Sequence, residues 1–371
     1  MNPFYYGQIV KDENFCRRPE LVEKLKTNIK RGQNVYIQGE RRTGKSSLIF
    51  ETVRSLKKFR LIYVDLLEAK SSDDFLKRVV MAVASMEKSA RFFEQIFQKL
   101  SHMRPLASID PLTGLPTLTI DAAVELKSDS IPGVLDLIAS YQLKTRPLVV
   151  AFDEFQDILN LKDAREALAL LRSKVQLQSE IAYVFAGSIR SKMDSIFNDP
   201  DSPFFKSAIP IHVGFLDKNI FQDFITQKFK TGKRQITANS LNSIFEICFS
   251  IPGDVQQLCS ALWDTTSFGA RITENHIPVA LEQIFSHELK GYETILKIIS
   301  VQQLKLLTGL ARLGGKAPMS SEFLKNTGFY QASSVKRALD RLIELRIIFH
   351  YEDEYRFVNP FFRAWLLYKK L

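Results

Sequence analysis

Over residues 1–213 the chain carries five short apolar runs: NVYIQ at 34–38, LIYVDL at 61–66, LVVAFD at 148–153, IAYVFA at 181–186 and IPIHV at 209–213. Most are apolar almost without interruption, as strands buried on both faces must be. Between them apolar residues recur at helical spacing, for example over 46–56 and 74–85. Strand–helix alternation of this kind predicts a mostly parallel sheet in an α/β domain.

One stretch breaks the rhythm. Residues 104–127 hold two alternating segments around the turn DPLTGLP, and they predict a β-hairpin inserted before a helix at 131–143. After residue 213 the strand pattern gives way to amphipathic helices, expected over 218–230, 238–250, 253–267 and 273–289. A third pattern follows. Helices at 301–312 and 320–326, a turn at Gly328, a longer helix at 333–345 and two β segments at 347–351 and 355–358 predict a winged helix-turn-helix. The expected organisation is a P-loop domain over 1–213, a helical lid over 214–292 and a winged helix over 293–371.

The first apolar run leads into Gly39-Glu-Arg-Arg-Thr43-Gly44-Lys45-Ser46, which matches GxxxxGK[ST] between a strand and a helix. Gly39 and Gly44 let the loop curl with its N–H groups inward, and the helix start adds its positive dipole end. Arg42, Thr43 and Ser47 complete the phosphate-binding stretch. Lys45 is expected on the β- and γ-phosphates of a nucleotide and Ser46 on Mg²⁺. The run at 148–153 delivers Asp153 to a strand's C-terminal end, where open α/β sheets bind ligands. Asp153 is the second candidate for Mg²⁺, and Glu154 the candidate base for an attacking water. Ser188, at the tip of the next strand, reads either as a γ-phosphate sensor or as a plain strand-to-helix cap. Arg41, Arg42 and Arg190 read as transition-state cations or as surface ion pairs, with Arg42 preferred for the former. Gln156 and Asp157 read as supports for the acids or as helix-start residues.

Composition adds little until charge is mapped. The net charge is +10, and residues 295–371 hold thirteen Lys/Arg against six Asp/Glu. A basic tail suggests an anionic partner, or simply a solvated surface. Cys16, Cys248 and Cys259 form no CxxC pair, which argues against a zinc site or a disulfide framework and for a cytoplasmic setting. The first fifteen residues lack the apolar core of a signal peptide, and no run is long and apolar enough for a membrane span.

The chain resembles the archaeal-type P-loop ATPases of the STAND group, relatives of the AAA+ ATPases. The resemblance rests on Asn2-Pro3-Phe4 and Gly7, Phe15-Cys16-Arg17-Arg18, the GERRTGKSSL loop, FDEFQ at 152–156, AGS at 186–188, VQQLCSALW at 255–263, and the tail from Tyr292 onward. It implies ATP as the nucleotide, in keeping with the absence of an Asn-Lys-x-Asp segment. It also implies a five-stranded core in which the Ser188 strand lies between the P-loop and Asp153 strands, with Ser188 as sensor. By the same resemblance Phe15, Arg18 and Pro252 enclose the adenine. The family's Gly-x-Pro element reads Ser250-Ile251-Pro252 here. Members are mostly regulated switches that couple nucleotide state to rearrangement and assembly, which implies a protein partner or self-assembly.

In the helix at 333–345, Ser334, Lys336, Arg337 and Arg341 fall away from the apolar face and are candidates for duplex DNA. The other reading is a solvated face on a winged helix that packs against its own chain. Glu352-Asp353-Glu354, at the predicted wing tip, would repel a DNA backbone. Three functions follow: a Mg²⁺-dependent ATPase switch, a DNA-binding ATPase of transposition or replication, and a nucleotide-binding interaction protein with little turnover.

Overall fold

The structure, a computed structural model, describes residues 1–85, 105–109, 116–120, 127–142 and 146–369. The chain divides into two compact units, Ile9–Gly214, and Met1–Gln8 together with Phe215–Leu371. The first eight residues thus group with the C-terminal part, not with the P-loop domain as expected from sequence.

The unit Ile9–Gly214 runs α1 (Pro19–Lys30), β1 (Val35–Gln38), α2 (Lys45–Ser55), β2 (Arg60–Asp65) and α3 (Ser72–Ala84). A hairpin of β3 (Pro105–Ile109) and β4 (Pro116–Ile120) follows. Its strands pair antiparallel as predicted, and its turn lies outside the described residues. Next come α4 (Ile131–Ala139), β5 (Leu148–Asp153), α5 (Ala164–Leu177), β6 (Ala182–Gly187), α6 (Arg190–Phe197) and β7 (Ile209–His212). Five strands form one parallel sheet in the order β2-β5-β6-β1-β7. The Ser188 strand therefore lies between the P-loop and Asp153 strands.

Alternate residues of each strand feed two cores, so the apolar runs are continuous. Phe152, Phe185 and Tyr183 face one side with Phe75, Phe155, Phe197 and Phe204. Val35, Ile37, Val149, Ala151, Val184 and Ala186 face the other, against Leu25, Ile29, Leu48 and Val53 of α1 and α2. The register sets Asp65 beside Asp153 and Gln38 beside Gly187. All five C-terminal strand ends thus open on one edge, and that edge is where the P-loop, Asp153 and Ser188 sit.

The second unit contains α7 (Lys218–Thr231), β8 (Gln235–Ile236), α8 (Ala238–Ile247), α9 (Pro252–Thr265), β9 (Arg271–Ile272) and α10 (Ile277–Ile298). Asn2 and Phe4 pin the N-terminus to it. Asn2 Nδ2 donates to Ser260 Oγ and Asp264 Oδ1, both at 2.9 Å, and the Phe4 ring lies 4.6 Å from that of Phe229. The winged helix follows as α11 (Val301–Leu313), α12 (Ser321–Thr327), α13 (Ala332–Glu344), β10 (Ile348–Tyr351), β11 (Glu354–Phe357) and α14 (Pro360–Tyr368). The boundary expected at 292–293 falls inside α10, which runs nine residues beyond the predicted end at 289. Tyr292 explains the extension, because its buried ring lies 5.3 Å from both Phe362 and Trp365 of α14. Among the described residues no helix is long and apolar enough to cross a membrane.

Candidate nucleotide-binding and catalytic site

The loop after β1 is shaped by backbone demands. A Cβ on Gly39 would lie 2.4 Å from the carbonyl oxygen of Val213, so only glycine lets β1 exit past the end of β7. Gly44 adopts the left-handed conformation at φ 90° and caps α2. Arg42 is also left-handed, at φ 63°, and exposed. Thr43 is buried, with its Oγ1 donating to the Glu40 carbonyl at 2.7 Å. Lys45, the first residue of α2, is buried, and its Nζ donates to the carbonyls of Gly39 at 2.9 Å and Glu40 at 3.0 Å. Burial pulls the Lys45 ammonium below its usual range, while the charges of Glu154 and Asp153 push the other way.

Opposite the loop, Asp153 is held at both oxygens. Oδ1 accepts the backbone N–H of Glu154 at 3.0 Å, and Oδ2 accepts the hydroxyls of Ser46 and of Tyr63, the latter at 2.5 Å. Tyr63 comes from β2, where it pairs with Ala151, two positions before Asp153. Burial and the adjacent carboxylate raise the Tyr63 phenol, so it stays protonated as a donor. Neither Tyr63 nor its role was visible in the sequence.

Glu154 turns the chain in a left-handed conformation, φ 50° and ψ 40°. A non-glycine residue held there costs of order 1–3 kcal/mol and is characteristic of functional turns. Its Oε2 accepts from Ser188 Oγ at 2.7 Å and from Gln156 Nε2 at 2.5 Å. The structure thus brings together Lys45, Ser46, Asp153, Glu154 and Ser188 on one sheet edge, sets Gln156 against Glu154 as one of its two readings had it, and adds Tyr63.

The remaining candidates make other contacts. Phe15 is buried in the core formed with Leu25, Ile29 and Leu48. Arg18 is buried and bridges two carbonyls, Gly214 at 2.7 Å and Thr43 at 2.8 Å. Burial pulls its guanidinium down to about 10, which leaves it charged at neutral pH. Ser47 turns away from the loop mouth and accepts the Val10 N–H at 3.1 Å. Arg190 is exposed and lies 3.9 Å from Asp194, the surface ion-pair reading. Pro252 opens α9 in the second unit, buried. On α13, Lys336, Arg337 and Arg341 are exposed and Ser334 half-buried, with Arg341 paired to Glu344 at 2.8 Å.

Among the described residues no group of three or more His, Cys, Asp or Glu is placed to hold a metal. The donor set on offer is one hydroxyl and one carboxylate in contact, Ser46 and Asp153. Both are hard oxygen donors, Ser46 at the start of α2 and Asp153 at the end of β5. They suit Mg²⁺, which takes few protein ligands and completes its shell with water and substrate phosphates.

A family model described as "ATPase domain predominantly from Archaea" matches residues 15–258. The chain belongs to this family. A second model, described as "Probable winged helix domain", matches residues 290–368 of this archaeal-type ATPase. No curated protein sequence is matched. Among solved structures, the Walker-type ATPase PabY2304 of Pyrococcus abyssi is similar at 18% identity and a TM-score of 0.64, over 96% of this chain and 97% of that one. The Aeropyrum pernix ORC1 protein in complex with DNA is similar at 11% identity and TM-score 0.53, over 96% and 94%. The Aeropyrum pernix ORC2 protein in its ADP form is similar at 13% identity and TM-score 0.51, over 94% and 93%. At these identities the likenesses speak for the fold alone: a parallel α/β P-loop domain followed by a winged helix.

Proposed function

We propose that this chain binds ATP with Mg²⁺ and hydrolyses its β–γ phosphoanhydride slowly, as a STAND-type regulatory switch. One observation carries the reading: Asp153 ends β5, Glu154 follows it, and the elements beside them grip each acid differently. Asp153 is held by the P-loop Ser46, and Glu154 by Ser188 from β6.

In this reading the loop N–H groups and Lys45 bind the phosphates, with Lys45 exchanging its two carbonyl contacts for phosphate oxygens. Ser46 and Asp153 hold Mg²⁺, which supplies charge neutralisation on the β- and γ-phosphates. Glu154 orients a water in line with the γ-phosphorus and takes its proton. The water oxygen forms the new P–O bond as the bond to the ADP oxygen breaks, giving ADP and phosphate. Ser188 joins the base to the tip of β6, where a γ-phosphate is sensed. Nucleotide state is then read out through rearrangement, with a protein partner or self-assembly as the output.

Duplex DNA is the second reading, favoured by the exposed Lys336, Arg337 and Arg341 on α13. The wing speaks against it. Tyr351 packs 5.2 Å from Phe215, the Arg356 guanidinium lies 4.5 Å from the Tyr351 ring, and the wing turn is acidic at Glu352 and Asp353.

ATP turnover at near-physiological salt, with and without duplex DNA and with Glu154→Gln as the blank, tests both readings. The switch reading expects slow turnover indifferent to DNA. Stimulation by DNA that Arg337→Ala with Arg341→Ala abolishes would replace it with the DNA reading.

A further inference from the structure

Gln156 follows Glu154 by two positions and lies in a 3-10 turn, Phe155–Asn160. Its side chain is 1% exposed, in a place where an unpaired amide is destabilising. Both ends are satisfied, and both by the site. Nε2 donates to Glu154 Oε2 at 2.5 Å, and Oε1 accepts the Ser188 backbone N–H at 3.3 Å. The neighbouring strand makes room for this amide: a Cβ on Gly187 would lie 2.5 Å from Gln156 Oε1. The Ser188 hydroxyl donates to the same Glu154 oxygen. Two donors therefore converge on Oε2, and among the described residues none is placed on Oε1.

A carboxylate on a flexible two-carbon stem has many orientations, and a base works only from the one that meets its water. We propose that Gln156 is the positioning residue of the hydrolytic base. It clamps the Glu154 carboxylate by one oxygen, presents the other to the attacking water, and ties that clamp to the backbone of Ser188. Ser188 alone offers a rotating hydroxyl. Gln156 adds a planar amide whose second end is fixed to β6, so the base and the tip of β6 are held as one piece. This rests on the reading of Glu154 as base.

A double-mutant cycle separates a positioning role from a merely structural one. Single-turnover hydrolysis, ATP affinity and melting temperature are measured for the wild type, Gln156→Met, Glu154→Gln and the double variant. The expected result is a Gln156→Met chemical step up to about a hundredfold slower, with ATP Kd within about threefold. In the Glu154→Gln background the same change alters the residual rate by less than about twofold. An equal slowing in both backgrounds, or none in the wild type, overturns the proposal. A Glu154→Gln single variant that keeps the wild-type rate would instead remove the base reading on which it rests. If Gln156→Met does not fold, Gln156→Asn, which keeps an amide but withdraws it from Glu154, takes its place with the same expected pattern.

Discussion

Tyr63 reaches from β2 to the acid on the adjoining strand proposed to hold magnesium. Its hydroxyl donates to Asp153 Oδ2, the oxygen that Ser46 also contacts, and so helps fix which way the carboxylate points. Groups that orient a metal ligand in this way are worth about ten- to a hundredfold in metal affinity. Tyr63→Phe should therefore raise the Mg²⁺ concentration needed for half-maximal ATP binding about tenfold. A Mg²⁺ titration followed by nucleotide fluorescence reads this directly, and an unchanged midpoint would leave Tyr63 as packing against Phe50. The glycines, Lys45, Ser46 and the acid pair were legible in sequence because their spacing is local and their chemistry is specific. Tyr63 was not, and Gln156 was left between two readings, a support for the acids or a helix-start residue. Tyr63 sits inside an ordinary apolar run, and its part in the site depends on the register that pairs it with Ala151. Gln156 acquires its part from a glycine on another strand.

At the scale of elements, the buried parallel strands were read to within a residue or two, because burial on both faces leaves an unbroken apolar signal. The helices between the strands were read from the same alternation, with α2 and α3 as its examples, whereas α1 and α14 were given no bounds. What closes the P-loop against its surroundings is also non-local. Arg18, just ahead of α1, joins the Thr43 carbonyl to that of Gly214, last residue of its unit. Replacing it by methionine keeps much of the volume but leaves two carbonyls unpaired. Arg18→Met should cost about 3–6 kcal/mol, each of the two lost hydrogen bonds to a charged group being worth roughly 1.5–3. A lower urea midpoint at unchanged slope would show it. A midpoint equal to the wild type would mean that water replaces the guanidinium at no loss.

For the molecule as a whole, the sequence announced three parts and the structure groups them as two units. The helical segment 214–292 and the winged helix share α10 and an aromatic cluster of Tyr292, Phe362 and Trp365. Such sharing is invisible to a local pattern, since Tyr292 lies more than sixty positions from its partners. Trp365 is buried, and Trp365→Ala should cost about 3–5 kcal/mol. The loss should lower a single thermal transition of the helical unit by circular dichroism; two separated transitions would show that the winged helix melts by itself. Whatever this unit reads out, we propose that the chemistry takes place on the edge of the five-stranded sheet. Single-turnover hydrolysis of γ-labelled ATP by excess Glu154→Gln protein, beside the wild type, tests that placement most directly. ATP binding should stay within about threefold of wild type, with a chemical step at least about a hundredfold slower, the usual range for loss of a general base. Hydrolysis by the variant at the wild-type rate would contradict that placement.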